Sequence, residues 1–173
     1  MMSEFFIQEK QLSKVTRTIV KDEAGHSLFL LVGRWGAYGD VLSLYAMNGT
    51  LVAKVKQTSF AFGSKFDLYK GFTKIGVLRK ILTIHSDFYY IQHLHWTVIG
   101  DIKKHRYAIY QVNKKIMSMD KATLFSGDYF CLTIPNEENA PVCICIAAIL
   151  DYWLYNKKKS YAPSIHAGIF NFN

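Results

Sequence analysis

Three prolines in 173 residues leave no room for a proline-rich linker, and three cysteines are too few for a disulfide framework. The cysteines, Cys131, Cys143 and Cys145, are odd in number and sit among apolar residues, so they read as reduced, buried thiols. The N-terminal segment Met1–Lys10 has no basic stretch followed by a long apolar run, so nothing there reads as a secretory signal. No Gly-x-Ser-x-Gly elbow is present, and no pair of carboxylates stands in a distinctive setting. Gly33, Gly36 and Gly39 are regularly spaced, but no Lys-Ser/Thr follows and no helix opens after them, so tight turns explain them better than a phosphate loop. Together these absences point away from an enzyme and toward a cytoplasmic protein, peripheral to a membrane at most, with no cofactor implied.

What the chain has in abundance is aromatic residues and a positive charge. Eleven Tyr, twelve Phe and three Trp favour strands, because flat, stiff side chains suit a pleated surface. Half the residues are hydrophobic, and the length suits one domain with a sizeable core. Glycines punctuate short apolar stretches at regular intervals: Gly25, Gly49 and Gly71 close turns, and an aromatic–Gly–polar signal recurs at Tyr38-Gly39-Asp40 and Phe62-Gly63-Ser64, with a variant at Phe125-Ser126-Gly127-Asp128. The spacing predicts a repeated two-strand unit, with strands over 5–10, 15–21, 27–34, 41–46, 51–57, 65–70, 75–84, 88–98, 104–111, 115–119 and 128–134. Alternation puts Lys54 and Lys56 on one face of their strand and Ala53 and Val55 on the other. Ser27–Val32 is more uniformly apolar and predicts burial on both sides.

Residues 141–155 break the pattern. Fifteen residues from Pro141 to Tyr155 contain one charge, Asp151, and no turn residue after the proline. Asn136-Glu137-Glu138-Asn139 supplies capping and acidic residues before the run, and Lys157–Lys159 supply cations after it, which fits a helix over about 140–155. Such a helix is about 22 Å long at 1.5 Å per residue, short of the ~30 Å hydrocarbon core of a bilayer. A helix apolar on every side must be enclosed by protein or lipid. An antiparallel sheet curled around it is one solution, and two buried strands of a sandwich are the other, since Val142, Ile144 and Ile146 are β-branched. The expected architecture is mainly β: an antiparallel closed barrel of about twelve strands enclosing one hydrophobic C-terminal helix, spanning residues 1–155, with 156–173 as an extension.

The paired turns, the segment Trp96-Thr97-Val98-Ile99-Gly100-Asp101 followed by Tyr107-Ala108-Ile109-Tyr110, and the acidic stretch leading into an apolar helix ending near Asp151 resemble the LURP-one-related family. That group includes bacterial YxjI-like proteins and is related to tubby C-terminal domains and phospholipid scramblases. The match covers roughly residues 4–155. It implies a twelve-stranded antiparallel barrel around a central hydrophobic helix. Most members have no established activity; the tubby relatives bind phosphoinositide head groups through basic residues on the barrel wall, and scramblases act at membranes. The chain departs from the pattern in residues 156–173 and in Phe72–Asp87.

The charge gives the resemblance something to act on. Residues 65–121 hold eleven basic and four acidic side chains, nearly the whole of the net +8. The candidate anionic site comprises Lys54, Lys56, Lys74, Arg79, Lys80, Lys103, Lys104, Arg106, Lys114 and Lys115. Converging, they would attract a phosphorylated head group or an anionic phospholipid surface; scattered, they are solvated strand edges that discourage aggregation. A protein partner is the other binding option, and insertion of residues 141–155 in the manner of a scramblase is the rival membrane reading. Nucleic acid fits poorly, because the aromatics alternate with core aliphatics rather than with Lys and Arg. The oligomeric state is not readable. His93 and His95, with His85 nearby, would share a strand face, yet zinc needs three or four ligands, so a structural role is expected. Cys143 and Cys145 point to different sides of a helix and read as core.

Overall fold

The strand-rich composition forms a single up-and-down sheet. The computed structural model describes residues 2–8, 15–34, 38–59, 65–82, 87–124 and 127–160. Twelve strands follow in chain order: β1 (Ser3–Gln8), β2 (Val15–Lys21), β3 (Ser27–Arg34), β4 (Val41–Ala46), β5 (Leu51–Gln57), β6 (Lys65–Lys70), β7 (Thr73–Leu82), β8 (Asp87–Gln92), β9 (Trp96–Asp101), β10 (Arg106–Gln111), β11 (Lys114–Leu124) and β12 (Gly127–Ile134). Every neighbouring pair is antiparallel, and β1 pairs with β12 from Ser3↔Ile134 to Gln8↔Tyr129, which closes the barrel. Closure leaves no edge strand to template association.

The hydrophobic run becomes α1 (Ala140–Ser160), which fills the barrel. Ile144, Ile146 and Ile149 are fully buried, and Val142–Leu150 are at most 3% exposed. They pack among Leu42, Leu44, Ala53, Val55, Phe66 and Leu68 of β4–β6, all within one core. The sandwich alternative is thereby excluded. The helix continues through Lys157–Lys159, five residues past the expected end, so those cations lie in its last turns rather than beyond it. At its start, the Asn136 side chain accepts a hydrogen bond from the Glu138 N–H, and Ser3 Oγ donates to Glu137, tying the helix entry to β1. Among the described residues no helix is long and apolar enough to cross a membrane. The apolar surface of 142–150 is covered by barrel, so its insertion into lipid would require the barrel to open.

Three local expectations change. The expected strand 88–98 is two strands, because His93 (φ 75°) and His95 (φ 54°) adopt left-handed backbone and make a tight turn there; histidine is among the non-glycine residues that enter this region most readily. The two imidazoles therefore do not share a strand face. The segment Ser27–Val32 buries only Leu31 fully, since the second face of a barrel strand looks outward. Strand β11 runs to Leu124 rather than 119. The turn glycines do hold positive φ, as at Gly49 (86°), where any other residue is strained. The predicted turns at Phe62–Ser64 and Phe125–Ser126, together with His85 and residues 161–173, lie outside the described residues.

Candidate functional site

The ten candidate cations divide among separate places on the barrel. Lys54 and Lys56 project outward from β5, as alternation predicts. Lys54 stands opposite Tyr69 of β6, with its ammonium 4.8 Å from that ring and 5.4 Å from the Phe72 ring, an arrangement in which the aromatic quadrupoles attract the cation. Lys56 stands opposite Asp67. Lys74 on β7 donates to Asp67 Oδ2 at 2.7 Å, so this part of the wall is internally compensated.

Toward the other end of the same wall, compensation stops. Arg79 of β7 lies directly opposite Lys65 of β6, two like charges in register. Lys65 is exposed and Arg79 is half-buried. The Arg79 Nε–H is itself buried and has no hydrogen-bond acceptor among the described residues. Like charges directly opposite in a sheet are destabilising, and a buried N–H without an acceptor costs about 1–3 kcal/mol. Lys56 completes a triangle with these two: its cross-strand partner Asp67 is two residues from Lys65 on the same outward face, a diagonal of roughly 7–8 Å. Lys65 is thus a site residue that sequence reasoning missed. Its only signal is its register with Arg79, which cannot be seen without the pairing.

The remaining candidates go elsewhere. Lys80 stands opposite Tyr89, a core residue, and shares the inward face of β7 with Leu78, so it does not belong to the outer wall. Lys103 and Lys104 occupy a single 3-10 turn (Ile102–Lys104) after β9, where the Asp101 carboxylate accepts from the Lys104 N–H at 3.1 Å and faces its ammonium at 3.7 Å. Arg106 Nε lies 3.5 Å from Asp120, and both side chains are exposed. Lys114 and Lys115 open β11 at the opposite end of the barrel, because six-residue β10 intervenes, a rise of about 20 Å. The ten do not form one patch.

A second polar cluster lies where α1 leaves the core. His105, in left-handed backbone (φ 53°), places Nδ1 3.7 Å from Asp151 Oδ1, and its ring lies 4.6 Å from that of Phe130. The one acid in the hydrophobic run thus faces an imidazole. Nearby Tyr107 has its hydroxyl buried without a hydrogen-bond partner among the described residues; burial, then the charge of Asp151, then Cys143, raises its pKa well above the ordinary value. The thiols are equally remote from chemistry. Burial pushes Cys145 up to about 12 and Cys143 further still, and burial with the nearby Glu4 charge pushes half-buried Cys131 up to about 11. Thiolate, the reactive form, is therefore scarce at neutral pH.

The architecture and sequence can be set beside known proteins. The LURP-one-related family model matches residues 3–151. The chain is 26% identical over 155 residues to the uncharacterized protein YxjI of Bacillus subtilis (strain 168), covering 90% of this chain and 96% of that protein. Its fold is similar to the X-ray structure of a protein from Arabidopsis thaliana, with a TM-score of 0.60, 15% identity, and coverage of 88% of this chain and 91% of the other.

Proposed function

Because the chain belongs to the LURP-one-related family, whose members include proteins without an assigned role, we propose a function from the barrel wall: a non-catalytic binding module that holds a phosphorylated, anionic head group against Lys56, Lys65 and Arg79. One observation carries this reading. Lys65 and Arg79 face each other and neither forms an ion pair among the described residues, while Asp67, two residues along from Lys65, is engaged by Lys74; the Arg79 Nε–H is buried with no acceptor among the described residues. A phosphate oxygen between them would turn a repulsive pair into a clamp, and guanidinium is suited to that oxygen geometry. Solvated surface lysines need no such arrangement, and elsewhere on this barrel the cations Lys74, Lys104 and Arg106 do have acids beside them.

The reading is tested by titrating the protein with inositol trisphosphate, using calorimetry at low and high salt. Binding should weaken with salt, and Lys65→Ser or Arg79→Gln should each weaken it about tenfold, since a hydrogen bond to a charged group contributes about 1.5–3 kcal/mol. Lys103→Ser should leave it unchanged. Equal effects from Lys103→Ser and Lys65→Ser would reduce the interaction to general charge, and no binding at low salt would remove the head-group reading.

A further inference from the structure

The hairpin turns after β4, β6, β8 and β10 all emerge at one end of the barrel, because strands alternate in direction around it. Apolar side chains stand exposed on three of them: Met47 at 54%, Phe72 at 81% and Val112 at 85%. Val112 is the most informative. It sits in the two-residue turn between Gln111 and Lys114 with φ 54°, where the first position of such a turn favours glycine. A β-branched residue in this left-handed region is a genuine outlier. Its side chain is almost fully in water, so no packing inside the protein compensates the strain. Phe72 is similar: its ring meets the Lys54 ammonium at 5.4 Å and otherwise projects.

Lysines flank these tips. Lys70 and Lys74 border Phe72, Lys114 and Lys115 follow Val112, and Lys54 reaches toward Phe72. The opposite arc of the same rim is acidic, with Asp22, Glu23, Glu137 and Glu138. We infer that the β4–β11 arc of this rim docks on an anionic lipid bilayer, with Phe72 and Val112 entering the head-group boundary and the lysines resting among the head groups. Successive tips are two strands apart, roughly 10 Å at a strand spacing of about 4.8 Å. Separate apolar protrusions suit lipid, which closes around each one, whereas a protein interface needs a contiguous apolar centre. The acidic arc supplies the orientation: repelled by the same surface, it tilts the barrel onto the basic side. This surface goes beyond the head-group site and uses other residues, so the two can fail separately.

The test is co-sedimentation at low salt with phosphatidylcholine vesicles, with or without about 30% phosphatidylserine, together with thermal melts. The wild type should sediment with the anionic vesicles and be released by salt. Phe72→Ser and Val112→Gly should each bind about tenfold more weakly, the loss expected for one buried apolar side chain. Val112→Gly should also melt at a higher temperature than the wild type, because glycine relieves the strain; weaker binding by a more stable protein separates docking from folding. Lys103→Ser, at the opposite end of the barrel, should retain binding. Tryptophan at position 72, introduced as Phe72→Trp, should shift its emission to the blue on vesicle binding. The inference is overturned if the wild type ignores anionic vesicles, if Val112→Gly and Phe72→Ser bind like the wild type, or if the Phe72→Trp emission is unmoved in the bound protein.

Discussion

Truncation of the central helix on three sides measures how completely the barrel encloses it. Ile144 and Ile149 are fully buried, and Leu150 is 1% exposed. At about 100° per residue, these three side chains leave the helix in directions about 100–140° apart. An amphipathic helix would have at least one of the three facing water. Enclosed on every side, each should respond as a core position: Ile→Ala or Leu→Ala costs about 2–5 kcal/mol, the spread reflecting how far the cavity collapses. For a domain of this length each kcal/mol moves the melting temperature by about 2–4 °C, so each variant should melt about 5–20 °C lower. Exposed Ile99→Ala (57% exposed in the native chain) is the control and should stay within about 0.5 kcal/mol of the wild type. Differential scanning calorimetry reads all four. Ile146→Asp goes further: an unpaired buried charge costs several kcal/mol on top of the lost packing, a large fraction of the about 5–15 kcal/mol that holds a domain folded. It should yield no folded protein. A neutral result at any of Ile144, Ile149 or Leu150, or a folded monomeric Ile146→Asp protein, would refute the enclosed helix.

Tyr107→Phe should be neutral or should stabilise by about 1 kcal/mol, because it removes a buried hydroxyl with no partner among the described residues; a clear loss in a urea melt would show that the hydroxyl is satisfied by water. Gly100→Ala should lower the unfolding free energy read from a urea melt by about 2 kcal/mol or more, since a methyl group there would meet the Arg106 carbonyl oxygen and Tyr107 Cα at 2.7 Å with φ at 130°. The raised thiol pKa values, about 11 for Cys131 and about 12 for Cys145, predict a stability that is fully present below pH 9 and declines as pH rises toward those values, because only the unfolded chain ionises readily there. Denaturant melts across that range check the sign, and Cys131→Ser with Cys145→Ser should flatten the decline. Rising stability with alkali would contradict the burial of these thiols.

Much of the barrel is legible along the chain because its determinants are local. Alternation in Leu51–Gln57 depends only on a side-chain period of two, and the positive φ at Gly49 only on a missing Cβ. The extra turn at His93–His95 escaped because nothing in Asp87–Trp96 marks it with glycine, proline or asparagine, and two histidines adopt the left-handed backbone instead. The site was less legible for a different reason. Ten basic residues are near one another in sequence, but antiparallel strands send Lys103 and Lys114 to opposite ends of the barrel, and alternation turns Lys80 inward beside Tyr89.

Sequence alone determined that most segments are short antiparallel strands, and that if residues 141–155 form a helix, one apolar on all sides must be surrounded. Those outcomes follow from interactions within a few residues or from burial averaged over a whole segment. Tertiary structure alone decided that Ser3–Gln8 meets Tyr129–Ile134 to close the sheet, and that Lys65 faces Arg79 while Asp67 is left to Lys74. Strand register has a period of two residues, and a slip of one would turn every side chain to the other face. Which charges meet across strands is therefore settled only when the whole barrel packs around Ala140–Leu150 and selects a single register.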